Sequence, residues 1–138
     1  MLTVEINYLA VLVAAVVNMA IGAAWYSQAL FGKIWMQQSG VTQQQITAAK
    51  KQMPLMYAAS FVGALVMSFV LAHFVTLVGA STISAGIQTG FWAWLGFVAT
   101  TSLAGILWEG KKPGLYLLNN SYNLVALILM GAILAVWV

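Results

Sequence analysis

Cysteine, arginine and aspartate are absent from this 138-residue chain, proline occurs twice, and only 5% of the residues are charged. Without cysteine there is no disulfide, no thiolate nucleophile and no thiolate-ligated metal. The shortage of charge matters more, because a soluble domain carries about 25% charged residues and this chain has no comparable polar surface. With 63% hydrophobic residues, a length suited to a single domain and a mean hydropathy of +0.96, the expected solvent is a lipid bilayer.

Crossing the hydrocarbon core takes about 20 mostly apolar residues, and four segments have that length. Their expected limits are 7–26, 54–78, 84–108 and 115–138. Helices are expected over strands because the runs are long and lack two-residue alternation, and because a helix satisfies its own backbone inside lipid. The fold class read from the sequence is therefore all-α, an integral membrane four-helix bundle forming one domain, 1–138. Glu5 precedes the first run with no lysine or arginine ahead of Tyr8, unlike the positive start of a secretory signal, so the first run is expected to be a retained span.

The five cations are Lys33, Lys50, Lys51, Lys111 and Lys112, against Glu5 and Glu109, which gives a formal charge of +3. All five lysines fall in the first and third connections, which lie on one side of a four-span protein. The positive-inside rule then places both termini on the non-cytoplasmic side of the cell's inner membrane. Five scattered lysines make no nucleic-acid footprint. They suit the anionic headgroups of membrane lipids.

The first connection, 27–53, is long enough to fold. Thr42 and Gln45 have capping-box spacing, with Val41 and Ile46 as an accompanying hydrophobic staple, which predicts one short amphipathic cytoplasmic helix from about Gln43 to Gln52. Lys50 and Lys51 suit its C-terminal end, and Pro54 opens the next span. The connection 79–83 is short and makes the second and third spans an antiparallel hairpin. The segment 109–114 makes a tight turn.

Polar residues inside the spans are the candidates for function. Asn18 and Asn123 fall at similar depth by a rise of about 1.5 Å per residue, so they are expected to face the bundle and to bond each other across it. Such a bond contributes about 0.6 to 2 kcal/mol. Asn119 shares a face with Asn123, and Asn120, Ser121 and Tyr122 add polarity beside them. His73 and Gln88 are expected at comparable depth near the other end, where an intramembrane ionisable group is a functional candidate. A single histidine with no second strong ligand makes a metal site improbable.

Trp25, Tyr26, Phe31 and Trp35 bracket Ser27, Gly32 and Lys33. They suit an aromatic belt at headgroup level, or an interfacial elbow in which Gly32 turns the chain and Lys33 meets a lipid phosphate or an acidic partner. Gly86 with Gly90, Gly131 with Ala135, and Ala59 with Gly63 are small-residue pairs that permit close helix approach, within a chain or between chains. No nucleophile stands beside a base, no glycine-rich phosphate loop is present, and no carboxylate sits mid-span. The chain is read as no enzyme and as needing no cofactor.

The stretch Trp25-Tyr26-Ser27, Phe31-Gly32-Lys33 and Trp35, with Met130-Gly131 in the last span, resembles a family of small bacterial four-helix membrane proteins catalogued as a domain of unknown function. The resemblance implies the four-span architecture and no catalytic residue. The expected function is that of a non-enzymatic scaffold or accessory protein. It would form a homo-oligomer and contact lipid or a membrane-protein partner through Trp25, Tyr26, Lys33 and Trp35. The alternative is a small-solute channel or carrier with a polar path past Asn18, Asn123, Asn119 and Gln88.

Overall fold

A computed structural model describes residues 4–137, and among these it contains helices and no strand. Four helices, Tyr8–Trp25, Lys50–Leu77, Ile83–Leu107 and Pro113–Val136, are long and apolar enough to cross a bilayer. Their ends are set by local chemistry. Helix α1 (Tyr8–Trp25) starts at Asn7, whose Oδ1 accepts from the amides of Leu9 and Ala10 at 3.1 and 3.2 Å. Helix α4 (Met53–Leu77) and helix α7 (Pro113–Val136) carry a proline in their first two positions, Pro54 and Pro113, where helices tolerate the missing N–H.

The hairpin between the second and third spans turns at Gly79, whose φ of 73° is natural only for glycine, and the third span is capped by Thr82 on the amide of Ala85.

The third span is not one regular helix. Helix α5 (Ile83–Ala93) passes through a π-helical stretch, Trp94–Ala99, into helix α6 (Thr100–Leu107). A π-turn disturbs the regular backbone ladder, which is costly in lipid unless other donors step in. They do: the hydroxyls of Thr100 and Thr101 donate to the carbonyls of Gly96 and Phe97 at 2.7 and 2.5 Å, and that of Ser102 donates to Val98. The hydroxyl run Thr100-Thr101-Ser102 is the sequence counterpart of this distortion.

Helix α7 is the hub, touching α1, α4 and the third span. Where it meets α5 the backbones are almost in contact. A Cβ added at Gly86 would overlap the carbonyl oxygen of Gly131, and one at Gly90 would overlap that of Leu127. Two of the three small-residue pairs therefore build an interface within the chain. The third does not: Gly63 has nothing within 4 Å of an added Cβ, and its face of α4 is exposed.

The core gathers on the side of α7 that faces α1 and α4, with Ala10, Ala14, Leu71, Val75, Leu127 and Met130 all buried. Alanines dominate the α1 side and allow close approach there too.

The first connection holds more structure than the single helix expected over Gln43–Gln52. Helix α2 (Gly32–Ser39) precedes helix α3 (Gln43–Ala48), and Lys50–Gln52 forms a separate 3-10 turn leading into α4. The capping box forms, with Thr42 Oγ1 accepting from Gln45 N at 3.2 Å and Gln45 Oε1 accepting from Thr42 N at 2.9 Å. The break after Ala48 has a cause in Pro54, which has no N–H to give the carbonyl of Lys50; the amide of Met53 bonds that carbonyl instead, in a tighter turn.

Candidate functional site

Residues 26–32 make a tight elbow that joins α1 to α2. The amide of Phe31 donates to Trp25 O at 3.0 Å and that of Gly32 to Ser27 O at 2.8 Å. Gly32 is buried against this turn, and a Cβ there would sit 2.7 Å from Tyr26 O and 2.8 Å from Ser27 O. Only glycine fits. Helix α2 then runs to Gly40, whose φ of 77° ends it in the left-handed conformation.

The elbow is tied to α7 by side chains. Tyr26 donates its hydroxyl to Asn119 Oδ1 at 2.6 Å, and the Trp25 indole donates to Leu118 O at 3.2 Å. Deeper, the Tyr122 hydroxyl donates to Asn18 Oδ1, with the Asn18 carbonyl 3.2 Å away, and Gly22 leaves room for the Tyr122 ring. The rings of Tyr26 and Tyr122 meet edge to face at 5.6 Å, Trp25 lies 4.7 Å from Phe31, and Trp35 stands edge-on to Tyr26 at 6.3 Å. The arrangement is a polar and aromatic seam along α1 and α7. Its lysine-bearing end supports α2.

This geometry corrects one expectation. Asn18, 6% exposed, bonds Tyr122 and not Asn123, and its Nδ2 lies 3.9 Å from Met67 Sδ. Asn123 is half-buried and its side chain makes no hydrogen bond to a described residue. A tyrosine one position away reaches past the shorter amide, so depth alone chose the wrong partner.

Asn119 does enter the seam, through Tyr26. His73 Nδ1 lies 2.8 Å from Phe69 O on its own helix with the Phe69 ring against it, and exposed Gln88 donates to Ser84 at 3.3 Å on α5. No bond brings His73 and Gln88 together among the described residues. Of the residues proposed for contact with lipid or a partner, Lys33 is exposed, while Trp25, Tyr26 and Trp35 are half-buried by the seam.

A second polar group lies on the opposite side of α7; the sequence pointed to the polarity of Asn120 but not to its partners on the third span. Asn120, 4% exposed, donates to Tyr116 O at 2.9 Å, and its Oδ1 lies 3.0 Å from Ser102 Oγ. The Trp94 indole donates to Asn120 O and the Tyr116 hydroxyl to Ala99 O, so this group fastens the π-turn to α7. The i, i+4 spacing of Tyr116 and Asn120 was the available signal. Ser68, fully buried, likewise ties α4 to α1 by donating to Val11 O at 2.9 Å.

The lysine-bearing connections also meet each other. Lys112 Nζ lies 3.4 Å from Gln37 O near the end of α2, where a cation complements the helix dipole, and the Gln38 side chain rests on Gly114. Among the described residues the one ion pair is Lys111 with Glu109 at 3.2 Å, on the surface. No three of His, Asp and Glu gather as metal ligands do among the described residues.

The fold and this seam define a class: a small helical bundle with four helices of membrane-crossing length, knit through a few polar bonds of its central helix. Within that class, the family pattern described as "Protein of unknown function (DUF1761)" matches residues 9–135, and the chain belongs to that family. No curated protein and no solved structure matches it.

Proposed function

We propose that the chain is a multi-pass protein of the inner membrane with both termini on the non-cytoplasmic side. In this reading it is a non-enzymatic scaffold that presents α2, α3 and their lysines to lipid or to a membrane-protein partner. The observation that carries the reading is where the intramembrane polar groups go. Asn18, Tyr122, Tyr26 and Asn119 are consumed in bonds between α1 and α7, and those bonds hold the elbow from which α2 projects. Lys33, Lys50 and Lys51 are exposed beyond it, near the level where anionic headgroups would lie.

A homo-oligomer belongs to the same proposal. From Pro54 to Ser60 every α4 side chain is exposed, and Leu55, Met56 and Tyr57 offer a ready contact for a second copy. The channel or carrier alternative fits less well, since Asn18 is spent on Tyr122 and Gln88 lies on an exposed face of α5, bonded to Ser84.

The test is co-purification from mild detergent. The Lys33→Gln, Trp35→Ala double variant should lose a lipid or partner that accompanies the wild-type chain, while its helical content stays unchanged and its unfolding free energy falls by no more than about 0.5 to 1.5 kcal/mol, the worth of the lost Trp35–Tyr26 contact. Identical co-purification would remove the basis for the reading.

A further inference from the structure

At the end of the bundle opposite the lysines, the start of α1, the end of α4, the hairpin after it and the end of α7 diverge around a cavity of about 510 Å³. That is within the size range of small-molecule sites, about 300 to 1,000 Å³. Its floor is alkyl, formed by buried Ala10, Ala72, Val75 and Leu134. Its rim is not: exposed Glu5 brings a carboxylate, Trp137 an indole, Asn7 an amide whose Oδ1 caps α1, and Thr76 and Ser81 hydroxyls. Thr76 already donates its proton to Ala72 O at 2.9 Å, so toward the cavity it has only lone pairs to offer. Carboxylate and hydroxyl oxygen together ask for a donor that carries positive charge.

The charge layout agrees. Glu109, the other carboxylate of the sequence, is paired with Lys111 at the far end. The eighteen residues of α1 place about 27 Å between the Glu5 end and the elbow, beyond the Debye length of about 8 to 10 Å, so the lysines do not neutralise Glu5. One carboxylate and two hydroxyls fall short of the roughly six to eight oxygen ligands of a calcium site, and a hydrated magnesium ion would leave the alkyl floor unused. A bare monovalent ion leaves the alkyl floor unused.

We propose that this cavity binds an organic ammonium with an apolar body. Its N–H groups are shared by Glu5 and Thr76, its hydrocarbon rests on Ala10, Ala72, Val75 and Leu134, and Trp137 faces the cation or its ring. An indole face attracts a cation directly. The site is independent of the scaffold surface at the other end, so either can fail without the other.

The experiment is calorimetric titration of the full chain in zwitterionic-lipid nanodiscs with 2-phenylethylammonium, with empty nanodiscs and 2-phenylethanol as references. Saturable binding with one ammonium per chain is expected, and the alcohol should bind at least about tenfold more weakly, a difference of about 1.4 kcal/mol. Glu5→Gln should weaken the ammonium by a similar factor and leave the alcohol unchanged, and Trp137→Leu should weaken it severalfold. Lys33→Gln should change nothing. Circular dichroism melting verifies that each variant is folded. Absence of saturable ammonium binding to the wild-type chain, or binding that folded Glu5→Gln retains in full, overturns the proposal.

Discussion

The Tyr122 hydroxyl shows how much one side chain carries when the surroundings cannot replace it. Lipid offers no donor to Asn18, so removing the hydroxyl leaves an amide oxygen inside the bundle with its partner gone. Tyr122→Phe is expected to lower the unfolding free energy by about 1 to 2 kcal/mol in a denaturing-detergent titration. Asn123→Leu should change it by no more than about 0.5 kcal/mol. A loss on Asn123→Leu with none on Tyr122→Phe would mean that Asn123 and not Tyr122 satisfies Asn18. The sequence made it legible that Asn18 must face a partner on the last helix. It did not make the partner legible, because a tyrosine hydroxyl stands several ångströms farther from the backbone than an amide, and depth along the helix axis does not register that reach.

At the scale of elements, glycine has opposite meanings on two helices that look alike in sequence. Gly90 touches the backbone of α7, whereas Gly63 faces open space. Adding one methyl group separates the cases. Gly90→Ala should push α5 off α7 and cost about 1 to 3 kcal/mol, the range for overpacking, as thermal unfolding in detergent would show. Gly63→Ala should be neutral or stabilising by up to about 1 kcal/mol, since alanine is the better helix former. A destabilised Gly63→Ala would reveal a contact between copies on that face.

The capping box was legible because both of its bonds are local. Thr42→Ala should loosen α3 by about 0.5 to 2 kcal/mol, read as faster hydrogen exchange at the Gln45 amide with no change in global unfolding. Helix α2 and the π-turn were not legible. The first depends on an elbow whose glycine is required by backbone carbonyls at Tyr26 and Ser27, and the second on tertiary anchors at Trp94, Tyr116 and Asn120.

For the whole molecule, the number of long helices and the segregation of charge could be read directly, since both follow from composition along the chain. The choice of α7 as hub could not. In lipid every apolar face resembles every other, and partners are selected by close backbone approach and by a few polar bonds. The proposed orientation rests on a different principle, the general bias of lysines in short connections toward the cytoplasm, and it yields a prediction for the entire chain. The natural sequence has no cysteine, so single-cysteine variants report without background.

Ser81→Cys, in the hairpin after α4, should react with a membrane-impermeant maleimide on intact cells. Gln44→Cys, on α3, should react only once the membrane is opened. Replacing all five lysines by glutamine removes the bias while leaving every long helix apolar, so both positions should then label partially from outside. Labelling of Gln44→Cys but not Ser81→Cys on intact cells would invert the topology, placing the Glu5 cavity in the cytoplasm and the lysine-bearing elbow outside.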